Sequence, residues 1–253
     1  MLIAACLAAA ALSACTPLPP RNPLATWVRS GNFNQRHPQL IVVHFTDEDS
    51  VAESLDTLRG SNSGGPVSAH YLIGNDGHIY QLVRDQRRAW HAGAGHWGTI
   101  TDVNSASIGI ELDNNGEEPF AKPQIDSLLV LLRDLTRRFS IPCTAIIGHE
   151  DMAPLRKVDP GPLFPWARLA ANGFGLWPEH DLMDPPPGFD PWLALALIGY
   201  SLDDHPAAVR AFHHHFRAVQ GQLLDARDLR ILFNLQQQIL RGDPGCGALA
   251  PTG

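Results

Sequence analysis

Lysine is nearly missing from this chain. Lys122 and Lys157 are the only lysines among its 19 Lys and Arg residues, against 26 acidic residues, and the formal net charge is −7. That balance supplies no basic stripe and argues against a nucleic-acid binder. Also missing is an apolar run of the roughly 20 residues that a membrane-spanning helix needs. No His-Glu-x-x-His pattern occurs, which weakens the ordinary metalloprotease reading. Cysteine is scarce: beyond Cys6 and Cys15 near the start, only Cys143 and Cys246 remain. Two cysteines so far apart do not establish a pair, even in an exported chain. Cys143 opens an apolar strand and reads as a buried small hydrophobe.

The 253 residues are 44% hydrophobic, enough for a sizeable core. The first of them, Met1 to Ala14, carry a short apolar run that fits the h-region of a secretory signal. The run ends in Leu12-Ser13-Ala14-Cys15, which resembles a bacterial lipobox. The resemblance implies cleavage before Cys15, a lipid on that cysteine and, with Thr16 following, an outer-membrane lipoprotein facing the periplasm of a Gram-negative bacterium. No Lys or Arg precedes the run, a departure from the usual charged n-region.

Residues 15–37 hold Pro17, Pro19, Pro20 and Pro23 with no clear period and read as a tether and linker. Leu40 to Phe45 is a near-continuous apolar run, as in a strand covered on both faces. Ser50-Val51-Ala52-Glu53 is a capping box opening a helix to about Gly60. Ser61 to Pro66 reads as a loop. Asn75-Asp76-Gly77 joins two halves of a hairpin. Ser107 to Asp113 alternates, with Ile108, Ile110 and Leu112 on one face and Gly109, Glu111 and Asp113 on the other. Helical spacing runs over Pro123 to Phe139, a strand over Thr144 to Ile147, and a helix over Pro165 to Asn172. Alternating strands and helices predict an α/β fold: a central mixed β-sheet flanked by helices. Asp184-Pro185-Pro186-Pro187-Gly188 reads as a stiff spacer. Beyond it, apolar periodicity predicts a small C-terminal three-helix domain. His213-His214-His215 sits on its second helix; three consecutive helical positions cannot face one ion, so they read as a solvated face.

The chemistry concentrates in Gly148-His149-Glu150-Asp151-Met152-Ala153-Pro154-Leu155-Arg156-Lys157-Val158-Asp159-Pro160. His and Asp suit zinc, which lowers the pKa of bound water to about 7 and polarises a carbonyl. His44 and His149 both end predicted strands; if those strands are parallel neighbours, both rings project at one sheet edge, where α/β sites form. With Asp159 they make three candidate ligands. Lys157, two residues before Asp159, would face the same side of an extended loop and balance an oxyanion. Glu111 is the candidate general base, expected to stay ionised beside cations. Glu150 and Asp151 read as loop-stabilising or capping groups.

Taken together, Ile41 to Thr46, Ser68 to Ile73, Asp76 to Val83, Ala89-Trp90-His91-Ala92-Gly93, Ser107 to Leu112 and Gly148 to Pro162 resemble the amidase-2 family of zinc N-acetylmuramoyl-L-alanine amidases, related to peptidoglycan-recognition proteins. The resemblance implies one Zn2+ on His44, His149 and Asp159, with Glu111 and Lys157 as the catalytic pair. It implies cleavage of the amide between N-acetylmuramic acid, or its anhydro form, and L-Ala of peptidoglycan stem peptides. His70, His91 and Trp97 become candidate substrate contacts. Leu195 to Tyr200, Ala208 to Phe212 and Asp228-Leu229 resemble a peptidoglycan-binding three-helix domain. The expected organisation is a signal at 1–14, a lipidated tether at 15–37, the amidase domain at 38–178, a Pro-rich linker at 179–190, the helical domain at 191–241 and a disordered tail at 242–253. The protein is expected to act as a monomer on peptidoglycan or muropeptides. A recognition module that does not cut, or a zinc peptidase acting on another stem-peptide bond, are the alternatives. The first would be favoured by loss of a ligand or of the oxyanion cation, and none is lost.

Overall fold

A computed structural model describes residues 21–35 and 38–242. The signal segment, the candidate lipidation site Cys15, and Cys246 with the rest of the tail lie outside the described residues. In chain order the elements are β1 (Thr26–Trp27), β2 (Phe33–Gln35), β3 (Leu40–Phe45), α1 (Val51–Arg59), β4 (Ser61–Asn62), β5 (Gly65–Pro66), β6 (Tyr71–Ile73), β7 (Ile79–Gln81), β8 (Arg87–Ala89), α2 (Val103–Ala106) and β9 (Ser107–Leu112). They continue through α3 (Lys122–Phe139), β10 (Ile146–Gly148), α4 (His149–Met152), α5 (Trp166–Ala171), α6 (Pro191–Ile198), α7 (His205–Arg217) and α8 (Ala226–Arg241).

Six strands form the mixed central sheet, in the order β1-β7-β6-β9-β3-β10. β3 lies between β9 and β10 and is parallel to both; β6 and β7 form the antiparallel hairpin. Strand periodicity divides the core. Ile41, Val43, Ile108, Ile110 and Leu112 face α3, whose Ile125, Leu128, Leu132 and Leu135 complete one apolar layer with Trp166 and Leu169 of α5. Each such side chain taken from water contributes about 1.5–3 kcal/mol. Leu40 and Val42 point the other way, toward Ala92, Val103 and Met152. His44 and Glu111 belong to that second face by the same alternation.

The helical unit has its own core, built on Leu195, Phe212, Phe216, Leu232 and Leu235. Trp97 and Trp177 from outside its helices pack on that core, and α7 rests directly on α4 and α5. The Pro-rich segment therefore does not hold two units apart. It runs along α8 instead, Glu179 pairing with Arg241 and Asp184 with Arg230.

Three further expectations need correction. The 15–37 stretch is not all linker: β1 joins the central sheet and β2 pairs with β8. Two- and three-residue strands carry too little period to be read from sequence. Ser61 to Pro66 is a small antiparallel ribbon, not a loop. Cys143 is half-buried and disulfide-bonded, so it is not simply a small buried hydrophobe.

Candidate active site

Parallel pairing of β3 with its neighbours sets the site. Register places His44 beside Glu111, and Val43 beside Gly148, so His149 follows at the level of His44. Hence two imidazoles and a carboxylate emerge at the same end of three adjacent strands. Asp159 returns to them because the Glu150 amide donates to the Asp159 carbonyl at 2.7 Å. Gly148 permits this return, since a Cβ there would sit 2.7 Å from the Pro160 ring.

His44 Nδ1 and His149 Nδ1 lie 2.9 Å apart, and Asp159 Oδ2 is 3.2 and 3.1 Å from them. Edges of this length are close to the roughly 3.4 Å edge of a tetrahedron with metal–ligand bonds near 2.1 Å. Among the described residues these three are the one His/Cys/Asp/Glu group whose ligand atoms converge closely enough to hold a metal ion.

The tautomers fit as well. His149 Nε2 donates to the Ala92 carbonyl at 2.8 Å, leaving a lone pair on Nδ1. For His44 the reasoning runs through three residues. Ser107 Oγ donates to the Val103 carbonyl at 2.6 Å and so accepts from His91 Nε2 at 3.2 Å. His91 Nδ1 then accepts from His44 Nε2 at 3.0 Å. His44 Nδ1 is left with its lone pair pointing at the other two ligand atoms. Outer hydrogen bonds that fix ring tautomer and orientation accompany metal-binding histidines generally.

Electrostatics agree with a site built for a cation. Burial first, and His149 second, lower His44 to about 4 against the pull of Asp159. Burial opposes the Asp159 charge, yet His149 and His44 hold its carboxyl well below the ordinary range. Glu111 departs from expectation. Burial pushes its carboxyl well above the ordinary carboxylate range, the Asp159 charge adds to this, and Lys157 only partly offsets it. Its Oε1 is 4.0 Å from His44 Nδ1, while its buried Oε2 has no hydrogen-bond partner. That unpartnered carboxyl oxygen, beside three ligand atoms, has room for a hydrogen-bonding partner in the cavity.

Lys157 borders the same cavity as His44, Glu111, His149 and Asp159. Val158 between Lys157 and Asp159 is exposed, so the two flanking side chains share the inner side, as the two-residue spacing predicts. Among the described residues no carboxylate lies within ion-pair distance of its ammonium, whereas Lys122 is paired with Asp126. The cavity continues into a surface groove of about 1000 Å³ along Phe45, Thr46, Glu48, Asn62 and Arg156.

The candidate substrate contacts separate. His91 reaches the cavity wall, but its ring is committed to His44 and Ser107. Gly109 makes room for it: a Cβ there would fall 2.3 Å from the imidazole. His70 is fully buried, accepting from the Gly109 amide and bonded to the Arg87 carbonyl, and is a packing residue. Trp97 packs edge-on to Tyr200 of the helical unit, away from the ligands. Loop position alone could not distinguish these three. The wall residues Thr46, Glu48 and Asn62 carried no pattern that sequence reading could use.

The family pattern for N-acetylmuramoyl-L-alanine amidases, Amidase_2, matches residues 34–162, a little over half the chain. The chain belongs to the Amidase_2 family. N-acetylmuramoyl-L-alanine amidase AmiD of Escherichia coli is 40% identical over 157 residues, which are 56% of this chain and 55% of that protein. The 1,6-anhydro-N-acetylmuramyl-L-alanine amidase AmpD of Enterobacter cloacae is 40% identical over 105 residues, 42% of this chain and 56% of its own length. The chain thus spans a little over half the length of these sequence relatives. Two solved structures are similar over more of it. AmiD from E. coli, in complex with anhydro-N-acetylmuramic acid-L-Ala-D-gamma-Glu-L-Lys, superposes with a TM-score of 0.69 at 33% identity, covering 80% of this chain and 90% of that one. AmpDh3 from Pseudomonas aeruginosa, in complex with an anhydromuramic pentapeptide, gives 0.71 at 30% identity, covering 81% and 93%.

Proposed function

We propose that the protein is a zinc-dependent N-acetylmuramoyl-L-alanine amidase, hydrolysing the bond between N-acetylmuramic acid, or its anhydro form, and L-Ala of a stem peptide. The observation that carries this reading is the convergence of His44 Nδ1, His149 Nδ1 and Asp159 Oδ2 beside the unsatisfied Glu111 carboxyl. The groove at Lys157 offers room for a sugar and a peptide, and the molecules bound in the AmiD and AmpDh3 complexes are of that kind.

His44, His149 and Asp159 would hold the ion, with His91 and the Ala92 carbonyl fixing the two rings. Zinc bound there would acidify a water and polarise the scissile carbonyl. Glu111 takes the proton from the attacking water and delivers it to the departing amine of L-Ala. A cation held by His44, His149 and Asp159 would favour the ionised form of the neighbouring Glu111, the form that accepts the proton. Lys157 places a positive charge toward the negative charge that develops on the carbonyl oxygen. We further propose export and tethering to the outer membrane through Cys15, supported by the Leu12-Ser13-Ala14-Cys15 motif; Cys15→Ala should then release an active, soluble protein.

Digestion of purified anhydromuropeptides with and without a chelator, read by mass spectrometry, tests the reaction. Release of intact stem peptide and free sugar, lost with chelator and restored by zinc, is expected. Cleavage within the peptide, or no cleavage by zinc-loaded protein, overturns the reading.

A further inference from the structure

His213, His214 and His215 are all buried, not a solvated face, and each meets a different carboxylate. His213 Nε2 is 2.9 Å from Asp228 inside the helical unit. The other two leave that unit. His214 Nδ1 lies 2.7 Å from Glu150 Oε2, and His215 Nδ1 lies 2.7 Å from Asp151 Oδ2. Glu150 and Asp151 directly follow His149 on the single turn of α4.

Both acids are almost fully buried, where an ionised carboxylate needs dedicated partners. Their partners come almost wholly from the helical unit. Arg210 Nε donates to Glu150 Oε1 at 2.9 Å, and the Tyr200 hydroxyl donates to Asp151 Oδ1 at 2.6 Å. Among the described residues of the catalytic unit only the Gly148 amide, at 2.7 Å from Asp151 Oδ2, contributes. The Arg210 guanidinium reaches further along the same loop, donating to the carbonyls of Pro154 and Lys157. His215 also stacks flat on Trp166, ring centroids 3.8 Å apart.

We infer that Arg210, His214 and His215 are positioning residues of the metal centre: helix α7 clamps the 149–159 loop and thereby sets where His149, Lys157 and Asp159 stand. The physical reason lies in α4 itself. One helical turn closed by four residues cannot hold a shape alone. The loop that follows carries two of the three candidate ligands at its ends and the candidate oxyanion cation between them. Without α7, Glu150 and Asp151 would have to turn outward for solvent, and His149 would turn with them. The C-terminal helical unit thus completes the amidase site as well as resembling a wall-binding module. This inference rests on the zinc reading above.

The test is zinc affinity by chelator competition on the full chain, with the absorption spectrum of the cobalt-substituted protein as a second readout of ligand geometry. Arg210→Ala and His215→Ala are expected to weaken zinc about 10- to 100-fold, the range for losing a group that orients a ligand, and to alter the cobalt spectrum. His215→Asn, whose amide nitrogen can stand where Nδ1 stood, should recover most of the affinity. Asp228→Asn removes the charge that faces His213 and Arg217 within the helical unit. It should lower the melting temperature yet leave the zinc dissociation constant within about twofold. Wild-type affinity in folded Arg210→Ala and His215→Ala overturns the clamp. So does an Asp228→Asn protein that loses zinc as they do, since general destabilisation then explains everything. Failure of the wild-type chain to bind zinc at all overturns the metal reading itself, and the clamp with it.

Discussion

Two groups of buried histidines occupy this molecule and follow opposite logic. His44, His91 and His149 come from three segments scattered over a hundred residues, yet are linked to one another, His44 lying 2.9 Å from His149 and 3.0 Å from His91. His213, His214 and His215 are consecutive and never meet; each addresses its own acid. Neighbouring positions on a helix point about 100° apart, whereas neighbouring positions on parallel strands point together. Adjacency in sequence is therefore poor evidence for a metal site, and register between strands is good evidence. The first group leaves lone pairs that face one another. The second turns one ring nitrogen of each histidine to a buried carboxylate.

Removing a convergent ligand should have the largest effect. Asp159→Ala is expected to lower zinc affinity about a hundredfold or more, since a site worth roughly 10–16 kcal/mol divides among few ligands. Turnover should vanish with the metal. One full zinc per chain in that variant, by elemental analysis, would break the distinction between the two groups at its root.

Glu111→Gln should separate metal from chemistry. Zinc content is expected to stay near wild type while kcat falls about 10²- to 10⁴-fold, the ordinary share of a general base. Burial and Asp159 raise the Glu111 pKa, so in the chain without metal its proton should be lost at higher pH than from an ordinary glutamate. Wild-type kcat in the variant would remove Glu111 from the mechanism.

His91→Ala asks whether the convergent group is a relay or merely a cluster. If His91 fixes the His44 tautomer through Ser107, zinc affinity should fall about 10- to 100-fold. If it only fills space beside Gly109, the enlarged cavity should lower stability and leave affinity alone. Chelator competition beside a melting curve separates the outcomes.

Much of this was legible in the sequence, for reasons specific to each element. The runs Leu40 to Phe45 and Ser107 to Leu112, the capping box at Ser50 and the long period of α3 carry strong local signals, and the structure has each element nearly where the pattern places it. The convergence of His44, His149 and Asp159 was legible only because both histidines end strands. What failed to show was the contact between units. Glu150 and Asp151 read as capping groups, and the Gly148 amide does donate to Asp151. Their dependence on α7, however, spans some sixty positions with no periodic trace. The triplet read as a solvated face because three consecutive helical positions cannot face one ion; that His214 and His215 would be covered by a single-turn helix and His213 by α8 is a tertiary fact. Trp97 and His70 failed for the same reason: a loop sequence does not say which side of the loop is covered.

The smallest expected effect concerns the divergent group and its pH dependence. Burial works against a charge on His214, but the Glu150 carboxylate, the Gln220 side chain and the resulting bonds raise its pKa above 6.5 despite repulsion from Arg210. A histidine whose folded pKa is raised contributes stability fully below its unfolded value near 6.5, and loses that contribution as pH rises through the folded value. The melting temperature of His214→Gln at saturating zinc should therefore trail wild type by about 2–4 °C near pH 6, equivalent to about 1 kcal/mol. The gap should narrow as pH rises through the folded value, where the wild-type ring also loses its charge. Burial and a neighbouring imidazole push His44 down to about 4, so His44 and His214 are displaced in opposite directions. A gap that stays constant from pH 6 to pH 9 would mean that His214 serves Glu150 only as a neutral donor, and the two groups would then differ in geometry but not in charge.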